Sequence, residues 1–467
     1  MTSTMEQTAS DEVRAWPDDP GAPPTVRMPI LRPRPVFGMG QLHINIDGPA
    51  PAPSGDQPGT AEFRYWGLAE ALRRAADFWG PLMPAGHSWH PQVGAALTAK
   101  LDDGDDLNAF YDRNGLSFFH HQVGDMTVYS GESPDVVCHE VGHAVLDTLA
   151  PGLWDVASAE AAALHEAFGD ISAILCHTQL TDLGSQIIAA TNGRVSRSSD
   201  LSRLAEQLGW AIRQEAPGAV DPDCLRNAAN RFFYSDPASL PPSGPAATLS
   251  SEPHSFSRIF SGAALHALAG MLQEQATKDA EGLRQAGIDL GKLLVAAAQQ
   301  APIVSDYFAQ IAAHMISADA DLFAGKYGRR LRTAFVRHGI LSPAHAVSIR
   351  SEAGMAGPMM AGGSAPLQSM QMSGAPYGIS EAFSVTAPSA TGHFSVTGAA
   401  PEMGALPNAD PQRAAKSFVE DLFRQGRVAV AEEHLTADSL APEEAQGQTH
   451  EIVHGDNGLT LRRRLFD

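Results

Sequence analysis

His139-Glu140-Val141-Gly142-His143 is the stretch on which the reading of this chain turns. Two histidines four residues apart on a helix lie about 40° apart around its axis. Both imidazoles can therefore reach one metal ion. Glu140 projects toward the same side, close enough to act on a water at that metal. The neighbours Val136, Val137, Val141, Ala144, Val145 and Leu146 are apolar. A charged triplet buried among them costs free energy unless a metal or partner groups satisfy it. A second segment, His165-Glu166-Ala167-Phe168-Gly169-Asp170, offers a carboxylate and, one helical turn later, another. His139, His143 and Glu166 meet the ligand count of a catalytic zinc site, which keeps one position for water. Asp170 is placed to accept the far N–H of a ligating histidine and so fix its tautomer.

Working outward, the zinc helix is expected to begin at Ser133 or Pro134. Pro suits a first turn, and Ser133 and Asp135 can cap free N–H groups. It is expected to end near Pro151-Gly152. Upstream, Phe63, Trp66, Leu68, Leu72, Ala75 and Phe78 have helical spacing. Short runs at 95–101, 109–111, 116–119 and 126–129 predict a small antiparallel sheet. From about 157 to 340 nearly every segment reads as helix.

The expected organisation is an α+β protein of two lobes with appendages. A flexible arm spans 1–58, a sheet lobe ending in the zinc helix 59–150, and a helical lobe 151–345. A low-complexity linker covers 346–410, and a small helix–hairpin module 411–467. Its hairpin signal is Gly455-Asp456-Asn457-Gly458. The run Phe-Ser-Val-Thr starts at Phe383 and again at Phe394.

Bulk composition narrows the function classes. The 467 residues carry 32 basic and 53 acidic side chains, a formal net charge of −21. That argues against nucleic acid or an anionic membrane surface as the main partner. No basic and apolar leader opens the sequence, and no run approaches the ~18 apolar residues of a membrane span. A cytoplasmic location is expected. Cys138, Cys176 and Cys224 form no C-x-x-C pair and read as small buried apolar residues.

At this point the chain resembles the thermolysin-like gluzincin metallopeptidases. Beyond the two metal segments, Asn108-Ala109-Phe110-Tyr111 is similar to that family's edge strand, which hydrogen-bonds the substrate backbone. His254-Ser255-Phe256-Ser257-Arg258-Ile259 is similar to the segment opening with its transition-state histidine. The similarity covers about residues 60–342. It implies a two-lobed fold around a cleft, with Zn²⁺ held by His139, His143 and Glu166. It also implies Glu140 as general base, Asp170 orienting His139, and His254 donating to the oxyanion. Substrate would be bound by Asn108, Ala109 and an arginine, for which Arg231 stands nearest to Ser235-Asp236-Pro237. The implied activity is peptide-bond hydrolysis by a metal-activated water, as an endopeptidase acting on peptides or proteins.

The departures from the pattern are equally specific. Trp154-Asp155 occupies the region of the family's tyrosine oxyanion donor. His165 stands where Asn is usual. Leu249 takes the place of the aspartate partner of the catalytic histidine, which points to Glu252 as substitute. Asp135 matches a calcium ligand, but His177 replaces the next carboxylate, so the usual calcium sites are not expected.

Plainer readings stand beside these. His254 also suits a helix start, Asn108 a turn, and Arg231 a buried pair with Asp236. His120-His121 point to opposite faces of a strand and do not bind one metal together. The rival from another functional class is a non-catalytic zinc-binding interaction or scaffold protein that keeps the peptidase fold. The intact Glu140 argues against it, because a structural site needs no such carboxylate.

Overall fold

The computed structural model describes residues 11–52, 57–349, 366–389, 410–436 and 447–466. It is a mixed α+β protein. No described helix is long and apolar enough to cross a membrane.

The amino-terminal stretch, expected as a flexible arm, is instead built into the body over its described residues. Strands β1 (Glu12–Ala15) and β2 (Ile30–Pro33) pair antiparallel. Trp16, Asp18 and Asp19 between them are buried. The sequence signal was weak because proline and glycine separate the anchoring residues.

Strand β3 (Ile44–Ile46) precedes α1 (Ala61–Trp79), which follows the predicted spacing and is capped by Thr60. Strands β4 (Leu97–Lys100), β5 (Ala109–Tyr111) and β6 (Leu116–Phe118) complete a sheet of order β3-β4-β6-β5. The sheet is not purely antiparallel as expected: β3, β4 and β6 run parallel, and only β5 is reversed. Between β3 and β4, α1 supplies the crossover that parallel pairing needs, and the connection carrying β5 joins β4 to β6. Strand β5 forms one edge. A hairpin of β7 (His120–Val123) and β8 (Met126–Tyr129) leads to α2 (Pro134–Leu149).

Helix α2 starts where predicted, with the Ser133 hydroxyl accepting from the Val136 N–H. It packs against α3 (Ala159–His177) at very close range. Gly142 makes that approach possible, since a Cβ there would lie 2.7 Å from Cβ of Ser172 and 3.0 Å from Cα of Gly169. The Ser172 hydroxyl donates to the Cys138 carbonyl (2.7 Å) and accepts from the Trp79 indole (2.8 Å). These bonds lock α1, α2 and α3 together.

Next come α4 (Thr181–Thr191), β9 (Arg203–Leu204), α5 (Glu206–Glu215) and β10 (Arg226–Asn227), with β9 and β10 paired. The helical region closes with α6 (Pro253–Leu272), α7 (Ala280–Gln300), α8 (Tyr307–Phe323), α9 (Gly328–Arg337) and α10 (Pro343–Ser348). The three cysteines are free and buried, as read.

The expected linker is corrected over its described part. Strands β11 (Gln368–Met372) and β12 (Phe383–Ala387) join α11 (Pro411–Arg424), β13 (Val428–Val430), β14 (His450–Gly455) and β15 (Gly458–Arg463). Their sheet has the order β11-β12-β15-β14-β13. Phe383, Val385 and Ala387 alternate inward and bury the face against which Phe418 and Leu422 of α11 pack. The repeat of this run at Phe394 lies outside the described residues. The predicted hairpin is β14–β15, paired from His450↔Arg463 to Gly455↔Gly458.

Candidate metal centre

The α2–α3 pair places the metal candidates face to face. Glu166 presents one oxygen to each imidazole: Oε2 lies 3.5 Å from His139 Nε2, and Oε1 3.7 Å from His143 Nε2. Two atoms each 2.0–2.1 Å from a tetrahedral ion stand about 3.4 Å apart, so these spacings suit a shared cation. His139, Glu140 and His143 also bring ligand atoms within 4.8 Å of one another. All four side chains are buried. His143 Nε2 lies buried without a hydrogen bond among the described residues. An unpartnered donor atom at such depth is costly, and the donor set fits zinc. Burial lowers His143 to about 3, which leaves it neutral, the form a metal ligand needs.

Around this core the sequence expectations divide. Asp170 Oδ1 lies 3.2 Å from His139 Nδ1, the orienting contact expected. His254, at the start of α6, places Nδ1 2.7 Å from Glu252 and Nε2 3.1 Å from Glu166. Glu252 is thus the carboxylate that orients His254, as the sequence pointed to. Burial works against charge on His254, yet the two carboxylates outweigh it and hold the imidazolium well above its usual range. Asn108 and Ala109 line a cleft of 470 Å³ together with His139, Glu140 and His254. Asn108 Oδ1 accepts from the Ala109 N–H at 2.8 Å.

Arg231 is not brought to the site; it is exposed on the loop that follows β10. Arg226 lines the cleft instead. Its guanidinium grips Asp170 through Nη2 (2.9 Å) and Nε (3.1 Å). The Ser261 hydroxyl donates to the other Asp170 oxygen at 3.1 Å. Burial opposes ionisation of Asp170, but Arg226 outweighs it and holds the carboxyl down at about 2. Sequence spacing missed Arg226 because pairing of Arg226 with Leu204 across β10 and β9 aims it.

Trp154 is turned away from the metal candidates, with its indole donating to the Arg463 carbonyl at 3.3 Å. His165 Nδ1 lies 3.3 Å from His143 Nδ1. Phe466, which no motif marked, stacks on both rings, with centroids 3.9 Å from His165 and 5.2 Å from His143.

A second buried group, Asp18, Asp135 and His177, also gathers ligand atoms within 4.8 Å. Arg27 reaches it with a 3.2 Å contact to Asp18. An imidazole in the set departs from the all-oxygen shell that calcium prefers.

Set against protein-family models and against curated proteins, the chain matches none.

Proposed function

We propose that the protein is a zinc-dependent metallopeptidase of thermolysin-like, two-lobed architecture. The observation that carries this reading is Glu166 bridging His139 and His143 while Glu140 faces the same point from the cleft floor. A scaffold needs the first feature and not the second.

Zinc, when held by His139, His143 and Glu166, supplies Lewis acidity where water meets the substrate carbonyl. The remaining work falls to side chains of the chain itself. Glu140 accepts the proton of the attacking water and returns it to the leaving nitrogen, help on the order of 10²–10⁴ in rate. His254, anchored through Nδ1 on Glu252, faces the carbonyl oxygen with Nε2 and donates to it as negative charge develops there. Arg226 and the β5 edge hold the peptide backbone. Leu204, Leu208, Ile212 and Val220 form an apolar wall, which suits a bulky apolar side chain next to the scissile bond.

The test measures zinc per chain and hydrolysis of a peptide library by wild type and Glu140→Gln. About one zinc in both is expected for a single three-ligand site, with turnover only in wild type. Equal turnover in both, or none in either, would favour the non-catalytic scaffold.

A further inference from the structure

Strand β5 has one side paired to β6, while its other side faces the cleft. At the far end of that open edge the chain pairs with itself. The Tyr111 N–H donates to the Phe466 carbonyl (3.1 Å), and the Phe466 N–H donates to the Tyr111 carbonyl (2.9 Å). The bridge is antiparallel. Successive residues of a strand turn their backbone groups to opposite edges, so Ala109 shares this outward edge with Tyr111.

The segment is firmly held. Phe466 is 2 % exposed. Its ring lies between His165 and the Arg463 guanidinium, which sits 3.8 Å from the ring centroid. Arg463 Nε donates to the Trp154 carbonyl (2.9 Å), and its backbone N–H donates to Asp155 (3.2 Å). Behind it, β15 is fixed between β12 and β14.

We propose that Phe466 closes one end of the cleft by taking the sheet-edge hydrogen bonds that an extended peptide would make with Tyr111. This rests on the peptidase reading and narrows its substrate class. A peptide lying along Ala109 in the sense that Phe466 adopts presents its amino-terminal side to the closed end. The enzyme then acts on peptides with only a short overhang before the scissile bond. It trims near the amino terminus, in contrast to the open-cleft endopeptidase expected from sequence.

The test uses zinc-loaded, full-length protein and a ladder of peptides sharing one scissile sequence behind amino-terminal extensions of increasing length. Wild type, Phe466→Leu and Phe466→Pro are compared by kcat/KM, with products mapped by mass spectrometry. Proline cannot donate to Tyr111. Wild type and Phe466→Leu are expected to favour the shortest member. Phe466→Pro should narrow the long-to-short disparity by about fivefold, the scale of the one backbone hydrogen bond that losing the N–H makes available to substrate. Equal cleavage of all lengths by wild type overturns the closed end. A wild-type preference unchanged in a folded Phe466→Pro overturns the assignment to Phe466. Should that variant not fold, the wild-type ladder decides alone. No cleavage by any zinc-loaded form brings down the peptidase reading itself, and this inference with it.

Discussion

At the scale of single residues, Asp170 is tied to three elements at once. It orients His139, accepts from Ser261 of α6, and is gripped by Arg226. Removing the guanidinium leaves a buried carboxylate without its counter-charge. Arg226→Ala should lower unfolding free energy by about 3–5 kcal/mol in urea, the usual cost of breaking a buried pair from one side. A loss under about 1 kcal/mol would mean that water replaces the arginine at little cost. The residues legible in the sequence are those whose roles depend on local spacing. His139, Glu140 and His143 share one helical face, and Glu166 and Asp170 share another. Glu252 was legible too, standing two positions before His254. Arg226 was not, because its position depends on a two-residue strand pair that leaves little trace in composition.

At the scale of elements, the contact between α2 and α3 sets the spacing of the candidate ligands, and glycine sets that contact. A Cβ on Gly169 would come within 2.6 Å of the His139 ring. Gly169→Ala is therefore expected to push that imidazole aside and weaken zinc affinity by roughly tenfold or more, the scale seen when ligand-orienting groups are lost. Competition with a chelator measures it. Gly67→Ala on α1 is the control, since a Cβ there meets nothing within 4 Å; a helical Gly→Ala change should be neutral or mildly stabilising. Equal zinc affinity in the two variants would refute the steric argument. Helices were legible because apolar periodicity sustained over three or more turns is hard to imitate. Strand partners were not. The parallel pairing of β3 with β4 arises from a crossover through α1 and that of β4 with β6 from the connection that carries β5, and β11 and β12 hide in a Gly-, Ser- and Met-rich stretch. Only the alternation of Phe383, Val385 and Ala387 hinted at them.

At the scale of the molecule, stability should depend on pH through Glu160 of α3, six residues before Glu166 on the same helix. Burial raises its pKa from 4.5 to about 8, although Tyr234 and the Phe308 N–H both donate to it. The folded protein thus keeps a proton that the unfolded chain releases near 4.5. The stabilisation is full below that pH and is lost as pH rises through about 8. Relative to Glu160→Gln, wild type should lose thermal stability between about pH 5 and pH 8. Parallel curves for the two would show that Glu160 is ionised throughout. The α+β class was legible from the order of periodicities along the chain. The seating of both ends on α2 was not: Asp19 accepts from Ser133 at its start, and Phe466 covers His143 near its other end.

That covering has a consequence for synthesis. The ribosome completes the third candidate ligand at Glu166 and reaches Phe466 three hundred residues later. At roughly 5–20 residues per second, this interval lasts on the order of 15–60 s. A nascent chain holds its full ligand set throughout that time with the His143 ring uncapped. If the metallopeptidase reading holds, a metal then has two approaches, from the cleft and from the side of His143 that Phe466 later covers, and docking of Phe466 removes the second.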